Sequence, residues 1–126
     1  MAQADEEKPF KLGEHKGKVI ILDFWATWCK YCKDAEPALK EAYKKYSSRN
    51  DFVMVGVAMD EEFETAKTYC RQHQMDWPQI DGNSQDGREL AGIFRVMYLP
   101  SIWVIDKTGT ARMFNKDISQ IDTLLQ

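Results

Sequence analysis

The sequence contains little cysteine: only three of its 126 residues are cysteine, and three is an odd number. Small secreted scaffolds held by disulfides use several cysteine pairs, so this count excludes that class and leaves one working pair. Long apolar runs are missing too, because no stretch approaches the roughly 18 residues that a membrane-spanning helix requires. The formal net charge is only -3, which provides no excess of positive charge for nucleic acid or an anionic membrane.

The composition that remains is that of an ordinary globular protein, with 44% hydrophobic and 29% charged residues. A length of 126 residues is sufficient for one domain with a sizeable core. We place that domain at residues 9–126. The polar residues 1–8 are expected to be a disordered tail, or a remnant of cloning after a native export segment was removed.

Two of the cysteines form a Cys-x-x-Cys motif between an apolar run and a helical pattern. The stretch is Trp25-Ala26-Thr27-Trp28-Cys29-Lys30-Tyr31-Cys32. It places Cys29 at a helix N-terminus, where unpaired N–H groups and the helix dipole favour a thiolate over a free thiol with a pKa of about 8.5. Cys32 falls on the apolar stripe one turn later, so we expect an open Cys29 and a hidden Cys32. Such a pair indicates a dithiol–disulfide active site.

Zinc sites use the same cysteine spacing, and this alternative stays open at this point. Cys70 and His73 would have to supply the other two ligands. The long separation between the two halves and the position of Cys70 on a helical apolar stripe disfavour a zinc site. A third alternative is a redox-inert binding domain that has the motif without using it.

Apolar periodicity predicts alternating strands and helices. The predicted strands are 19–25, 52–58, a weak one at 77–80, 101–105 and 110–114, and the last two form a hairpin. The predicted helices are 29–47, one capped by Asp60 that carries Cys70, one through Leu90 to Phe94, and a short one through 118–125. This order predicts an α/β fold with a mixed central sheet and helices on both faces.

Asp23 is the only charged residue of the first predicted strand. Because a continuous apolar strand is covered on both faces, we expect its carboxyl group to be buried. Burial penalises the charged form of a carboxyl, so the pKa of Asp23 should be raised. The alternation of side chains puts Asp23 on the same face as Ile21 and Trp25.

These features together resemble the thioredoxin superfamily. The motifs that carry the resemblance are Asp23-Phe24-Trp25-Ala26 before Trp28 and the two cysteines, Pro37 in the following helix, and Leu99-Pro100-Ser101 before a strand. In this order they span residues 17–114. The extra segment 60–80 after the second strand resembles the TlpA/ResA-like thiol–disulfide oxidoreductases within that superfamily.

The resemblance implies a thioredoxin-like fold with a central helix–strand insertion, and thiol–disulfide exchange in the reductive direction without cofactor or metal. The implied catalytic residues are Cys29 and Cys32 as the redox pair and Asp23 as the acid that handles the Cys32 proton. The implied substrate contacts are Trp28, Lys30, Tyr31, Leu99 and Pro100. The bond between Leu99 and Pro100 is implied to be cis, which would offer Leu99 backbone groups to an extended substrate.

The implied partners are proteins with disulfides or dithiols and an upstream redox donor, not nucleic acid. The resemblance also implies a monomer in an extracytoplasmic place, either periplasmic or anchored to a membrane. One departure from the TlpA-like pattern bears on the buried acid. Many members carry glutamate three residues after the second cysteine, where this chain has Ala35, with Glu36 one step further. We therefore expect Asp23 to be the buried acid.

Overall fold

A computed structural model describes residues 10–126 of the chain, so the predicted tail at residues 1–8 lies outside the described part. A short 3-10 turn at Leu12–His15 precedes the first strand. The strands are β1 (Val19–Trp25), β2 (Phe52–Ala58), β3 (Gln79–Asp81), β4 (Ser101–Ile105) and β5 (Ala111–Met113). The helices are α1 (Lys30–Tyr46), α2 (Phe63–Gln72), α3 (Gln85–Ile93) and α4 (Ser119–Leu124). Each predicted strand and helix is therefore present, with ends displaced by a few residues.

The five strands form one mixed sheet in the order β3-β2-β1-β4-β5. β1 pairs parallel with β2 and antiparallel with β4, and the β4–β5 hairpin is antiparallel. All seven residues of β1 are buried, as its unbroken apolar run predicted. Because β1 is central, its C-terminal end lies beside the end of β2 and the beginning of β4. The loop that leaves this end carries the Cys-x-x-Cys motif.

The two faces of the sheet bury separate apolar clusters. One cluster includes Ile21 and Trp25 of β1 and contains both motif cysteines, together with residues of α1, α2 and α4. The other includes Leu22 and Phe24 and is covered by α3. Helices therefore cover both faces of the sheet, as predicted, and alternation along β1 places Asp23 toward the face that holds the cysteines.

Helix α2 and strand β3 form the predicted insertion after β2. The strand pairs parallel with the end of β2, with Gly56 opposite Gln79. Trp25 Nε1 donates a buried hydrogen bond of 2.8 Å to Gln79 Oε1, which ties the insertion to the end of β1. Gly56 lies under this bond, and a Cβ atom at that position would collide with the Gln79 side chain. The insertion is thus part of the core that supports the motif loop.

Candidate active site

Cys29 is the N-cap of α1, in extended backbone conformation. The backbone N–H of Cys32 donates to Cys29 Sγ at 3.1 Å. The sulfur therefore occupies the position that a capping oxygen usually takes, close to the unpaired amide groups of the first turn. This geometry stabilises negative charge on Cys29 when the pair is reduced.

Cys29 and Cys32 are joined by a disulfide across the first turn of α1, with a Cα–Cα distance of 5.3 Å. Both residues are only 5% exposed, so Cys32 is hidden as predicted, whereas the prediction of an open Cys29 was wrong for the oxidised protein. Each sulfur covers the other in the disulfide, and the Cys32 amide also packs against Cys29 Sγ. The open part of the site is formed instead by the neighbouring side chains.

Those neighbours are Trp28 and Tyr31, which are 69% and 62% exposed. Lys30 lies between them in the motif and is also exposed, with its Nζ 6.0 Å from the centroid of the Tyr31 ring. Two large aromatic surfaces and a cation thus border the disulfide. Apolar surface of this kind beside a reactive pair is typical of a binding site for another molecule.

The bond between Leu99 and Pro100 is cis, as the resemblance implied. In the antiparallel register of β1 and β4, Ser101 pairs with Phe24, so Pro100 and Leu99 precede β4 beside the end of β1. Both residues are partly buried. The two residues before them, Met97 and Tyr98, are strongly exposed and were missed by the sequence analysis, because nothing in their local pattern distinguishes them from a loop.

Asp60 holds the loop between β1 and the motif. Its Oδ1 accepts from the Thr27 backbone N–H at 3.0 Å, and its Oδ2 accepts from the Thr27 hydroxyl at 2.5 Å. The predicted capping role of Asp60 was therefore wrong, and Glu62 is the N-cap of α2, without a side-chain cap bond. Asp60 is buried, and a buried carboxylate requires donors, which Thr27 supplies more directly than the helix two residues further on.

Asp23 is buried, with 2% of its surface exposed. Burial raises its pKa to about 7, and the negative charge of Glu36 adds to the effect. The predicted direction was correct. A carboxyl group with this pKa exists in both protonation states near neutral pH, which is the property expected of a group that accepts and returns a proton.

Glu36 is a third buried carboxyl group, and the sequence analysis did not assign it a role. It lies on α1 four residues after Cys32, so both side chains are on the same buried stripe. Tyr69 of α2 donates to Glu36 Oε2 at 2.5 Å, and Lys40 Nζ lies 3.8 Å from Glu36 Oε1. The spacing of four from Cys32 was the signal that could have identified it.

Cys70 is a buried free thiol on α2. Burial raises its pKa to about 12, and the charges of Asp23 and Glu36 act in the same direction. His73, the other ligand of the zinc alternative, stacks on the Tyr69 ring with a centroid distance of 3.9 Å. Within residues 10–126, no group of three histidine, cysteine or acidic side chains is arranged to hold a metal ion. A zinc site is therefore not favoured.

A family model described as thioredoxin-like matches residues 17–111. The chain belongs to this thioredoxin-like family. Among curated relatives, thiol-disulfide oxidoreductase ResA of Bacillus cereus is 33% identical over 105 residues, which cover 82% of this chain and 58% of the relative. Thioredoxin-like protein YneN of Bacillus subtilis is 28% identical over 99 residues, which cover 78% of this chain and 56% of that protein.

The solved structures agree with this assignment. A thiol:disulfide interchange protein of the thioredoxin family from Chlorobium tepidum has a TM-score of 0.74 at 27% identity, covering 94% of this chain and 84% of that chain. The chain is thus similar to ResA-like proteins within the thioredoxin superfamily, as the motifs indicated. It spans little more than half the length of the curated relatives named above. None of the helices in residues 10–126 has the length and apolar character needed to cross a bilayer.

Proposed function

We propose that this chain is a thiol–disulfide oxidoreductase that reduces disulfides of protein substrates with its Cys29–Cys32 pair. The observation that carries the proposal is the bonded pair across the first turn of α1, with Cys29 as the helix N-cap. The relatives named as thiol-disulfide oxidoreductases support the same activity. A zinc-binding module or a redox-inert binding domain has no comparable support.

The reaction proceeds in two exchange steps. In the reduced protein the Cys29 thiolate attacks one sulfur of a substrate disulfide, the substrate S–S bond breaks, and the other substrate sulfur leaves as a thiolate. The Cys32 thiolate then attacks Cys29 Sγ, which breaks the mixed disulfide and releases the second substrate sulfur. Two electrons have passed from the pair to the substrate, and the Cys29–Cys32 disulfide remains. No further cofactor is needed for the electron count.

Asp23 handles the proton of Cys32 in the second step. The Cys32 thiol must lose its proton to attack, and a carboxylate with a pKa of about 7 is a suitable acceptor near neutral pH. Asp23 lies toward the face of the sheet that buries both cysteines, which supports this role. The proton returns when the oxidised pair is next reduced.

The substrate is bound by the exposed surface around the disulfide. Trp28 and Tyr31 supply aromatic area, and Lys30 supplies positive charge that favours thiolates on both partners. Leu99 and Pro100 run beside the end of β1 before β4 begins, so their backbone groups suit an extended substrate segment that adds as a strand.

The partners are then protein disulfides and an upstream dithiol donor that reduces the Cys29–Cys32 disulfide after each turnover. We place the protein outside the cytoplasm, as a monomer, since it resembles exported or membrane-anchored members of the superfamily. The reduction potential of the pair decides the direction of exchange, and a strongly negative value against glutathione marks a reductant.

Substitution of the cysteines tests the function. Reduction of insulin disulfides should be abolished in Cys29→Ala, because the attacking sulfur is lost. Cys32→Ala should accumulate mixed disulfides with the substrate, because the resolving sulfur is lost while Cys29 still attacks. The matched control is Cys70→Ala, which removes the third cysteine and should keep wild-type turnover, since that thiol is buried. Turnover by Cys29→Ala at the wild-type rate would contradict the proposed function.

A further inference from the structure

The buried carboxyl groups of Asp23 on β1 and Glu36 on α1, which we call the acid pair, are close enough for the charge of Glu36 to act on Asp23. We propose that Tyr69 and Glu36 are positioning residues for Asp23: the Tyr69 hydroxyl holds the negative charge of the acid pair on Glu36 and so leaves the proton on Asp23. This inference rests on the proposed role of Asp23 in exchange. It adds that a tyrosine of the inserted helix α2 sets the protonation of Asp23.

The first step is the asymmetry of contacts around the acid pair. Glu36 accepts a 2.5 Å hydrogen bond from Tyr69 and has Lys40 Nζ at 3.8 Å. The two oxygens of Glu36 thus face a hydroxyl donor and a cation. Asp23 is fully enclosed by the apolar core, and its surroundings favour the neutral form. Two nearby carboxyl groups with such different surroundings divide the roles of anion and acid.

The second step is the permanence of the Tyr69 donor. Burial and the hydrogen bond to Glu36 both raise the pKa of Tyr69, so its hydroxyl keeps its proton throughout the range in which Asp23 titrates. The ring is fixed by stacking on His73 and by a tilted contact with Trp25 at 5.6 Å between centroids. Lys33 Nζ lies 5.8 Å from the same ring. The Tyr69 side chain is therefore held by four contacts, two from α1, one from β1 and one from the residue that follows α2.

The remaining charged and titratable groups around the acid pair do not replace this donor. Cys70 of α2 stays a neutral thiol, because burial and both carboxyl charges raise its pKa. Asp60, in the loop after β2, is occupied by its two bonds to Thr27. The His73 ring stacks on the ring of Tyr69. Tyr69 and Lys40 are thus the groups that distinguish Glu36 from Asp23.

The acid pair titrates as a coupled system, so the test follows each carboxyl group separately. The oxidised protein is used, because its two motif cysteines do not titrate as a disulfide. Carbon-13 NMR of labelled carboxyl groups is recorded against pH for wild type, Glu36→Gln, Tyr69→Phe and Tyr46→Phe. The Asp23 resonance is identified by its loss in Asp23→Asn. Tyr46 is the matched control, since its hydroxyl also donates to a carboxylate, that of Asp122, at the far end of α1.

In Glu36→Gln the Asp23 midpoint should fall by roughly one pH unit, because one nearby negative charge is removed. In Tyr69→Phe the Asp23 curve should begin at a lower pH and broaden, because the acid pair loses the donor that distinguishes its two members and then shares one proton. Tyr46→Phe should reproduce the wild-type curve.

An Asp23 curve in Tyr69→Phe identical to that of wild type would overturn the inference, and so would an unchanged curve in Glu36→Gln. A shift in Tyr46→Phe as large as in Tyr69→Phe would also overturn it, since the effect would then be general. These outcomes are distinct from failure of the proposed function, which the Cys29→Ala assay decides. The dependence of substrate reduction on pH should follow the Asp23 curve in each variant.

Discussion

At the scale of single residues, Asp23 is a carboxyl group on a strand, β1, whose other residues are all apolar. Its neighbours along β1, Leu22 and Phe24, have no exposed surface. Stability alone favours an apolar residue at such a position, because burial of a charge without a paired cation is costly. The cost is consistent with a role in proton transfer, which requires a carboxyl group whose pKa is close to neutral.

Asp23→Asn should stabilise the oxidised protein in a manner that depends on pH. The pKa of Asp23 is raised from 3.8 to about 7, so between these values the native state keeps a proton that the unfolded chain has released. Wild-type stability therefore falls as the pH rises through this window and is constant above it. The variant lacks this loss, so its free energy of unfolding should exceed that of wild type by a few kcal/mol, to order of magnitude, above about pH 7.

Urea denaturation near pH 5 and near pH 8 measures this difference, with both proteins kept oxidised. The control is Asp34→Asn, which removes the same charge from an exposed position on α1. It should change stability little at either pH. An Asp23→Asn advantage that is equal at both pH values would show that the carboxyl group does not titrate in this window.

At the scale of elements, helix α3 is fixed at its first turn. Ser84 is the N-cap and accepts from the Gly87 backbone N–H at 3.1 Å, and Asp86 accepts from Phe10 N and from Lys11 Nζ. Gly87 faces the end of β3, where a Cβ atom would lie 2.7 Å from the Gly82 Cα and would also collide with the Asp81 carbonyl oxygen. The glycine is required here by the close approach of two backbone segments.

Two glycine substitutions in α3 should therefore have opposite effects. Gly87→Ala should destabilise the protein by about 1–3 kcal/mol, because the new methyl group meets backbone atoms that cannot move easily. The Cβ atom added in Gly92→Ala meets nothing within 4 Å. This variant should therefore leave the stability unchanged or raise it by up to about 1 kcal/mol through helix propensity. Thermal unfolding of the two variants beside wild type measures both effects. Equal destabilisation by the two variants would contradict the packing of α3 against β3.

At the scale of the whole molecule, Cys70 reports on global unfolding. It is the only free thiol of the three cysteines when the Cys29–Cys32 disulfide is formed, and it is buried with a pKa of about 12. A thiol reagent should therefore react with the oxidised native protein very slowly, and the rate should rise with urea in proportion to the unfolded fraction. The labelling rate of the Cys70 thiol, one per chain, is measured by the absorbance of the released or bound reagent. Rapid labelling without denaturant would show that α2 opens locally.

The order of strands and helices was predictable because each element has a strong local pattern. β1 is an unbroken apolar run, the turn 106–109 separates two strands, and the motif precedes an amphipathic helix. The bonds between Tyr69 and Glu36 and between Thr27 and Asp60 were not predictable in this way. Each joins residues 33 positions apart, so no local pattern records the contact. The burial of Cys29 was also not predicted, because it depends on the bonded state of the two sulfurs.

Both edges of the sheet are formed by strands of only three residues, β3 and β5. The unpaired backbone groups of an outer strand can form hydrogen bonds with a strand of a second chain. The number of these intermolecular bonds is limited by the length of the outer strand. A neighbouring copy can therefore form only a few intermolecular backbone hydrogen bonds at either edge. The long strands β1 and β2, which would offer the most unpaired backbone groups at an edge, are instead paired on both sides. This arrangement opposes fibril formation from the folded protein at high concentration.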